Sequence, residues 1–572
     1  MRSTRPPLLA LLVVLSLFAV PLSAVGTAPV SDGPQSSSVD TARQAGSSAD
    51  LAAAGAVQEQ EQERDPDPST EETIGYVEGY WYDDELPVDD RDNASLDDDE
   101  LEAVVYRSMA RVEVIRGLTF QDDVPVEVVS RDEFESEHDV VANLSGAERL
   151  QENVNYEALF MVNRSSSAIG GMETLYGGAV DGYYEPETDR IVIVSNTPDE
   201  PELNEVVLGH ELVHALQDQH FNLTSFDRET IDRDAATNGL VEGDAVTVET
   251  EYQKRCEGEW ECTLPEGQPA VPPEVNWGMY FAVFQPYDDG PNYVETLRER
   301  GGWAAVNDAY DDPPASTAEV IRPGEDRDPA AIDVEDRSSD GWRQLEIDGE
   351  PASETVGEAA MVAMFAGTAI DPSQPSVIDR GSFLNLDAQG YVDEIDYDQS
   401  YTDGWAGDEL VTYVADDVDE IDDPTAAADD AGYVWRTEWN SSEDADEFVD
   451  GYLRLLAIHG AEPVDGRQDT FKIDDDYPGA YYVNVDNETV TIVRAPSVDA
   501  LDGIEAGAAP EGEDTLEFSG AASAEGGDTA GDGDGGAESS ESIPGFGLPV
   551  AILSLSTGTL AIRSRRLRSR RS

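Results

Sequence analysis

The sequence predicts an α+β globular region with a mainly helical C-terminal portion, flanked by disordered acidic linkers, and three observations carry that expectation. Between about residues 75 and 500, apolar residues at helical spacing alternate with short β-rich runs. Hydrophobic residues make up 39% of the chain, enough to build a core rather than a solvated acidic coil. Outside those limits the periodicity gives way to stretches rich in Ser, Ala, Gly, Gln and acidic residues.

At the start, Arg2 and Arg5 precede an almost wholly apolar run, Leu8 to Val20, with small residues from Ala24 to Ala28. Residues 1–28 therefore read as a secretory signal peptide, the run being short for a permanent membrane span. Residues 29–74 are expected to be linker. Leu101, Val104, Val105, Met109 and Val112 predict an amphipathic helix near 97–116. Val124 to Val129 alternates as a short strand, followed by an acidic helix from about Arg131. Ala179–Tyr184 and Arg190–Ser195, separated by Glu-Pro-Glu-Thr-Asp, read as a hairpin. Pro198-Asp199-Glu200-Pro201 reads as an acidic helix start, giving a helix from about Glu202 to His220. A further helix is expected over Asp232–Tyr252, with others near 292–300, 354–365 and 443–456. In the last, Phe448, Val449, Tyr452, Leu453 and Leu456 form one stripe, with Ser441 and Asp444 placed for a capping box. Residues 75–330 are expected to form the catalytic unit, 331–500 a mostly helical remainder, and 501–540 a low-complexity acidic stalk.

The charge is extreme: 123 acidic against 34 basic residues, a formal net charge of −89. Lysine is nearly absent, with only Lys254 and Lys472. Such a chain repels itself in dilute buffer, and concentrated salt screens that repulsion over a few ångströms. The composition thus points to a saline habitat. It argues against a nucleic-acid partner, whose phosphates would be repelled.

The chemistry lies in His210-Glu211-Leu212-Val213-His214. Two histidines four apart project from one helix face, one turn apart, as two neutral nitrogen donors for a zinc ion. Glu211, turned about 100° around the helix, can reach an activated water and act as general base. The chain has five histidines in all, so this pattern is improbable by composition alone.

The motif resembles that of zincin metallopeptidases. Asn238-Gly239-Leu240-Val241-Glu242-Gly243-Asp244-Ala245, on the next expected helix, resembles the ligand segment of the glutamate zincins (gluzincins). That resemblance implies a zincin-like fold, a zinc cofactor, a peptide or protein substrate, and Glu242 as third ligand. It also casts Asp244 or Glu249 as a partner orienting an imidazole, and Ile191–Ser195 as the substrate-pairing edge strand. The wider pattern looks like a group of bacterial and archaeal HExxH peptidases, on His210 to His220, Asp312 to Glu319 and Gly404-Trp405-Ala406-Gly407-Asp408. Where related sequences tend to carry a histidine after the Ser-Thr-x-Glu element, this chain has Arg322, so that residue's role is not carried over. His220 has the spacing of a metzincin ligand, but Gln217 stands where that pattern has a helix-breaking glycine. Tyr287, Tyr293 and Tyr310 are candidate donors to a developing oxyanion.

The remaining signals concern location. Pro544-Gly545-Phe546, an apolar stretch from Gly547 to Ile562 and an arginine-rich end occupy residues 541–572. Together they closely resemble the PGF-CTERM sorting signal of haloarchaeal surface proteins. The resemblance implies processing by an archaeosortase and a lipid anchor in the membrane. Six sequons, at Asn93, Asn143, Asn163, Asn222, Asn440 and Asn487, fit an outside glycoprotein. Cys256 and Cys262, the only cysteines, are expected to form a local disulfide there. The sequence therefore reads as a cell-surface zinc peptidase. Its rival is a surface or adhesion glycoprotein with a degenerate, non-catalytic zincin fold.

Overall fold

A computed structural model describes residues 68–518, apart from breaks of which 135–143, 266–274 and 386–393 are the longest, and a two-residue strand at Val14–Leu15. The rest of the expected signal peptide, the expected linker up to residue 67, Asn93, Asn143, most of the expected helix after Arg131, and the whole expected sorting signal lie outside the described residues. The class is α+β, with two principal sheets embedded among helices.

Helix α1 (Asp98–Arg116) starts on a capping box. The Asp97 side chain accepts from the Glu100 amide, and the Glu100 side chain accepts from the Asp97 amide. It stops at Gly117, whose φ of 78° is left-handed. Its apolar stripe packs in one core with Val77, Leu86, Val88 and Leu96, so the segment before it is integral to the fold. Helices α2 (Gly146–Ala158) and α3 (Ala168–Gly177) follow. Strands β1 (Val126–Ser130), β2 (Gly182–Glu185) and β3 (Arg190–Ser195) form the first sheet in the order β2–β3–β1, with Val14–Leu15 against β2.

The β2–β3 hairpin is present, but β3 is not an edge strand. It pairs antiparallel with β2 and parallel with β1, Ile191 standing opposite both Tyr184 and Val126. With both sides of its backbone hydrogen-bonded, β3 has no edge for a peptide to join. Here the expectation taken from the zincins is corrected.

Next come α4 (Glu205–Phe221) and α5 (Ile231–Cys256), which pack on each other and on α1. Helix α4 starts later than Glu202 because residues 94–96 and 201–203 hydrogen-bond to each other: Leu96 N donates to Pro201 O and Leu203 N to Ala94 O. Helices α6 (Trp277–Asp288), α7 (Gly290–Gly301), α8 (Trp303–Ala309) and α9 (Thr317–Ile321) complete this part.

The C-terminal portion is not mainly helical. Around α10 (Gly357–Ala366), α11 (Ser442–Ile458) and α12 (Val498–Ile504) stands an antiparallel sheet. Its strands are β4 (Trp342–Gln344), β5 (Ser353–Glu354), β6 (Trp405–Ala415), β7 (Ala431–Trp439), β8 (Glu462–Pro463), β9 (Thr470–Ile473), β10 (Gly479–Asp486) and β11 (Thr489–Ala495). Their order is β5–β6–β7–β11–β10–β9–β8, with β4 also on β6. Both faces are covered. Leu410, Trp435 and Ile492 join the core with Met361 and Phe448, while Val411, Val434 and Val493 pack with Leu501 and Ile504 of α12. Strands buried on both faces lack the polar alternation that marks a strand in sequence.

Two domain limits are corrected with it. One hydrophobic cluster takes in Leu150 and Met279 together with Met361, Phe448 and Ile492, so residue 330 does not divide two cores. The fold also continues past 500: α12 is buried at Leu501 and Ile504, and the Phe518 ring packs tilted against Phe471, centroids 4.7 Å apart.

Candidate metal centre

The N-terminus of α4 is held rigidly. Asn204 caps it, its side chain accepting from Val206 N. The fully buried Glu205 binds Arg107 at 3.0 Å and Arg111 at 2.5 Å, and accepts from Tyr252 Oη at 2.8 Å and Thr263 N at 2.8 Å. Removing this carboxylate would leave the buried Arg111 without its carboxylate partner and Arg107 with Asp89 alone, a loss of about 3–5 kcal/mol. Glycine lets the helices close in. A Cβ on Gly243, the residue after Glu242, would fall 2.2 Å from Gly290 O at the start of α7.

Helices α4 and α5 bring together the ligand atoms of His210, His214 and Glu242, all within 4.8 Å of one another and all buried. Glu242 Oε2 lies 3.3 Å from His210 Nε2 and 3.5 Å from His214 Nε2. Each ring is held from behind. His210 Nδ1 lies 2.9 Å from Glu249 Oε2, and His214 Nδ1 lies 2.8 Å from Gln217 Oε1. The Glu249 role matches the expectation; Asp244 does not take one. Asp244 instead accepts from Arg116 Nε at 2.8 Å and Tyr310 Oη at 2.8 Å.

The electrostatics call for a cation. Burial opposes charge on Glu242, but His214 and His210 outweigh it and hold the carboxyl at about 2. Burial likewise opposes charge on His210, yet its hydrogen bonds to Glu242 and Glu249 hold the imidazole well above its ordinary range. Positive charge is thus favoured where the three side chains converge. His214 Nε2 is buried and makes no hydrogen bond, an orphaned donor atom aimed at the same point. Two imidazole nitrogens and one carboxylate, each imidazole backed by an acceptor, suit zinc.

Glu211 lies beside His210 on α4 and is buried. Helix α4 runs through Gln217 to Phe221, and His220 contacts Thr119 O at 2.8 Å and Gln121 Nε2 at 3.2 Å, outside the ligand cluster. Tyr310 is spent on Asp244, Tyr293 packs beside Val294 and Val306, and Tyr287 belongs to the large core. The Ser-Thr-x-Glu element is structural: Thr317 N and Oγ1 donate to Asp232 Oδ1, and burial pushes Asp232 up to about 7. Arg322 pairs with Glu358, Asp398 and Asp403. Asp408 accepts from the indoles of Trp405 and Trp435. Cys256 and Cys262 form a disulfide at the end of α5. Asn222, Asn440 and Asn487 are exposed, and Asn163 is half-buried. Gln217 went unrecognised as a site residue; its place three positions after His214, on the same helix face, was the available signal.

Residues 343–505 match a family described as a domain of unknown function (DUF8575). That stretch takes in the antiparallel sheet and α12 but none of the three ligand side chains. No curated protein and no solved structure matches the chain.

Proposed function

We propose that the protein is a zincin-like, zinc-dependent peptidase that hydrolyses peptide bonds with water, Glu211 serving as general base. The observation that carries this reading is the convergence of His210, His214 and Glu242 on one buried point, with the buried Glu211 next to His210 on the same helix. His210, His214 and Glu242 would hold the ion. When bound, zinc supplies Lewis-acid chemistry, making water acidic near neutral pH and polarising a carbonyl. Glu211 takes the proton from the attacking water and passes it to the departing amine. Glu249 keeps the lone pair of His210 Nε2 directed inward by holding Nδ1–H. An intact Glu211 favours this reading over a non-catalytic surface glycoprotein, since a purely structural zinc site has no use for a base. Purified in multimolar salt, the protein should carry about one zinc per chain and cleave casein. A chelator should abolish cleavage and added zinc restore it. A metal-free protein inert towards casein and peptides with zinc supplied would leave the adhesion reading in its place.

The location is part of the same proposal: export through the N-terminal signal, then attachment to the outer face of the membrane by a lipid added at the C-terminus. The support is the order Pro544-Gly545-Phe546, apolar stretch, arginines. Among the described residues no helix is long and apolar enough to cross a membrane. Mass spectrometry of the membrane-associated protein should find no peptide from Arg563 onward, and replacing Pro544, Gly545 and Phe546 should bring it back. Abundant recovery of that peptide from the unaltered protein would reduce the signal to a plain transmembrane tail.

A further inference from the structure

We infer that Gln217 is a positioning residue that fixes His214 in the Nδ1–H tautomer and ties it to the backbone carrying Glu242. Three contacts lead there. Gln217 Nε2 donates to Val241 O at 2.9 Å. A backbone carbonyl only accepts, so the amide nitrogen must face α5 and the amide oxygen must face the other way. That oxygen lies 2.8 Å from His214 Nδ1, and, being an acceptor, it requires a proton on that nitrogen. The lone pair of the neutral ring is then on Nε2, the buried atom that makes no hydrogen bond and faces Glu242 at 3.5 Å.

The same side chain therefore sets both the direction of one ligand and the distance to another. Val241 immediately precedes Glu242, so a single buried amide spans the helix pair at the level of the cluster. Gln217 is 1% exposed. The two histidines are thus held differently: His210 by the partly exposed carboxylate of Glu249, His214 by a neutral amide. A neutral acceptor orients the ring without adding a second buried negative charge beside Glu242.

The tautomer can be read in the metal-free protein by nitrogen–proton correlation NMR of His214, above the pH at which the ring loses its second proton. The native protein should show Nδ1–H. In Gln217→Met, of similar length but without an acceptor, the proton should move to Nε2, where Glu242 accepts it. Gln217→Glu restores an acceptor but cannot donate to Val241 O, so it should keep Nδ1–H; it also serves if the methionine variant fails to fold. Nε2–H in the native protein or in Gln217→Glu, or unaltered Nδ1–H in a folded Gln217→Met, would overturn the assignment. A second measurement rests on the peptidase reading: zinc affinity in Gln217→Met should fall about 10–100-fold, and unchanged affinity would remove the positioning role. A native protein that takes up no zinc would defeat the peptidase reading while leaving the tautomer result to stand or fall by itself.

Discussion

Replacing Glu211 by glutamine should leave zinc bound and remove hydrolysis. The substitution keeps the length and shape of a buried side chain and touches none of the three converging ligand atoms, which belong to His210, His214 and Glu242. Only the ability to take a proton is lost. General-base catalysis contributes roughly 10²–10⁴-fold, and the same carboxylate would also return the proton to the leaving amine, so the turnover of a peptide substrate should drop by several orders of magnitude. Zinc content, measured on the same sample, should remain near one per chain, with the melting temperature close to that of the parent. Activity that survives in the glutamine variant would show that another group activates water. Loss of zinc together with activity would show that Glu211 is a ligand.

What the sequence made legible follows from how each feature is encoded. His210 and His214 are four apart on one helix, and that spacing alone puts their nitrogens together. Helix α1 announced itself through its apolar stripe, while its capping box at Asp97 and Glu100 was not read from the sequence. Glu242 sits 28 positions after His214, on another helix, and only the resemblance of its surrounding segment pointed to it. Helix α6 was hidden by Pro286 within it; the neighbouring packing of Phe281 and Phe284 outweighs the missing hydrogen bond. The second sheet was hidden because β6, β7 and β11 are covered on both faces. The partner of β3 was hidden because parallel pairing with β1 joins residues 126 and 191 across a long stretch of chain, which no local pattern records.

The charge balance also acquires a structural meaning. Arg107, Arg111, Arg116, Arg228, Arg322 and Arg494 are all buried, and each pairs with a carboxylate. In a chain with 34 cations against 123 anions, these six arginines neutralise carboxylates inside the fold, so the excess of anions lies at the surface. The near absence of lysine fits this use, because a guanidinium is the more weakly hydrated group and forks to two partners at once, as Arg107 does to Asp89 and Glu205. Buried pairs are little affected by salt, whereas the surface carboxylates depend on it. The core around the candidate metal centre is thereby expected to be less sensitive to ionic strength than the acidic exterior.

The identity of the third ligand yields the other large effect. Glu242→Ala should reduce zinc from about one per chain to near none after dialysis, and hydrolysis with it, because two imidazoles alone make a poor zinc site. His220→Ala should leave zinc in place. Along a continuous helix His220 stands about 9 Å beyond His214, at 1.5 Å per residue, and its ring is already engaged with Thr119 O and Gln121. Losing those two part-exposed hydrogen bonds should cost about 0.5–1.5 kcal/mol each, seen as a melting temperature lower by a few degrees with full zinc. Folding of the Glu242 variant is checked by its circular dichroism against the metal-free parent, so that loss of metal is not confused with loss of structure. Zinc retained without Glu242 and lost without His220 would require α4 to break near Gln217, where the structure has an unbroken helix held to α5 by the Gln217 amide.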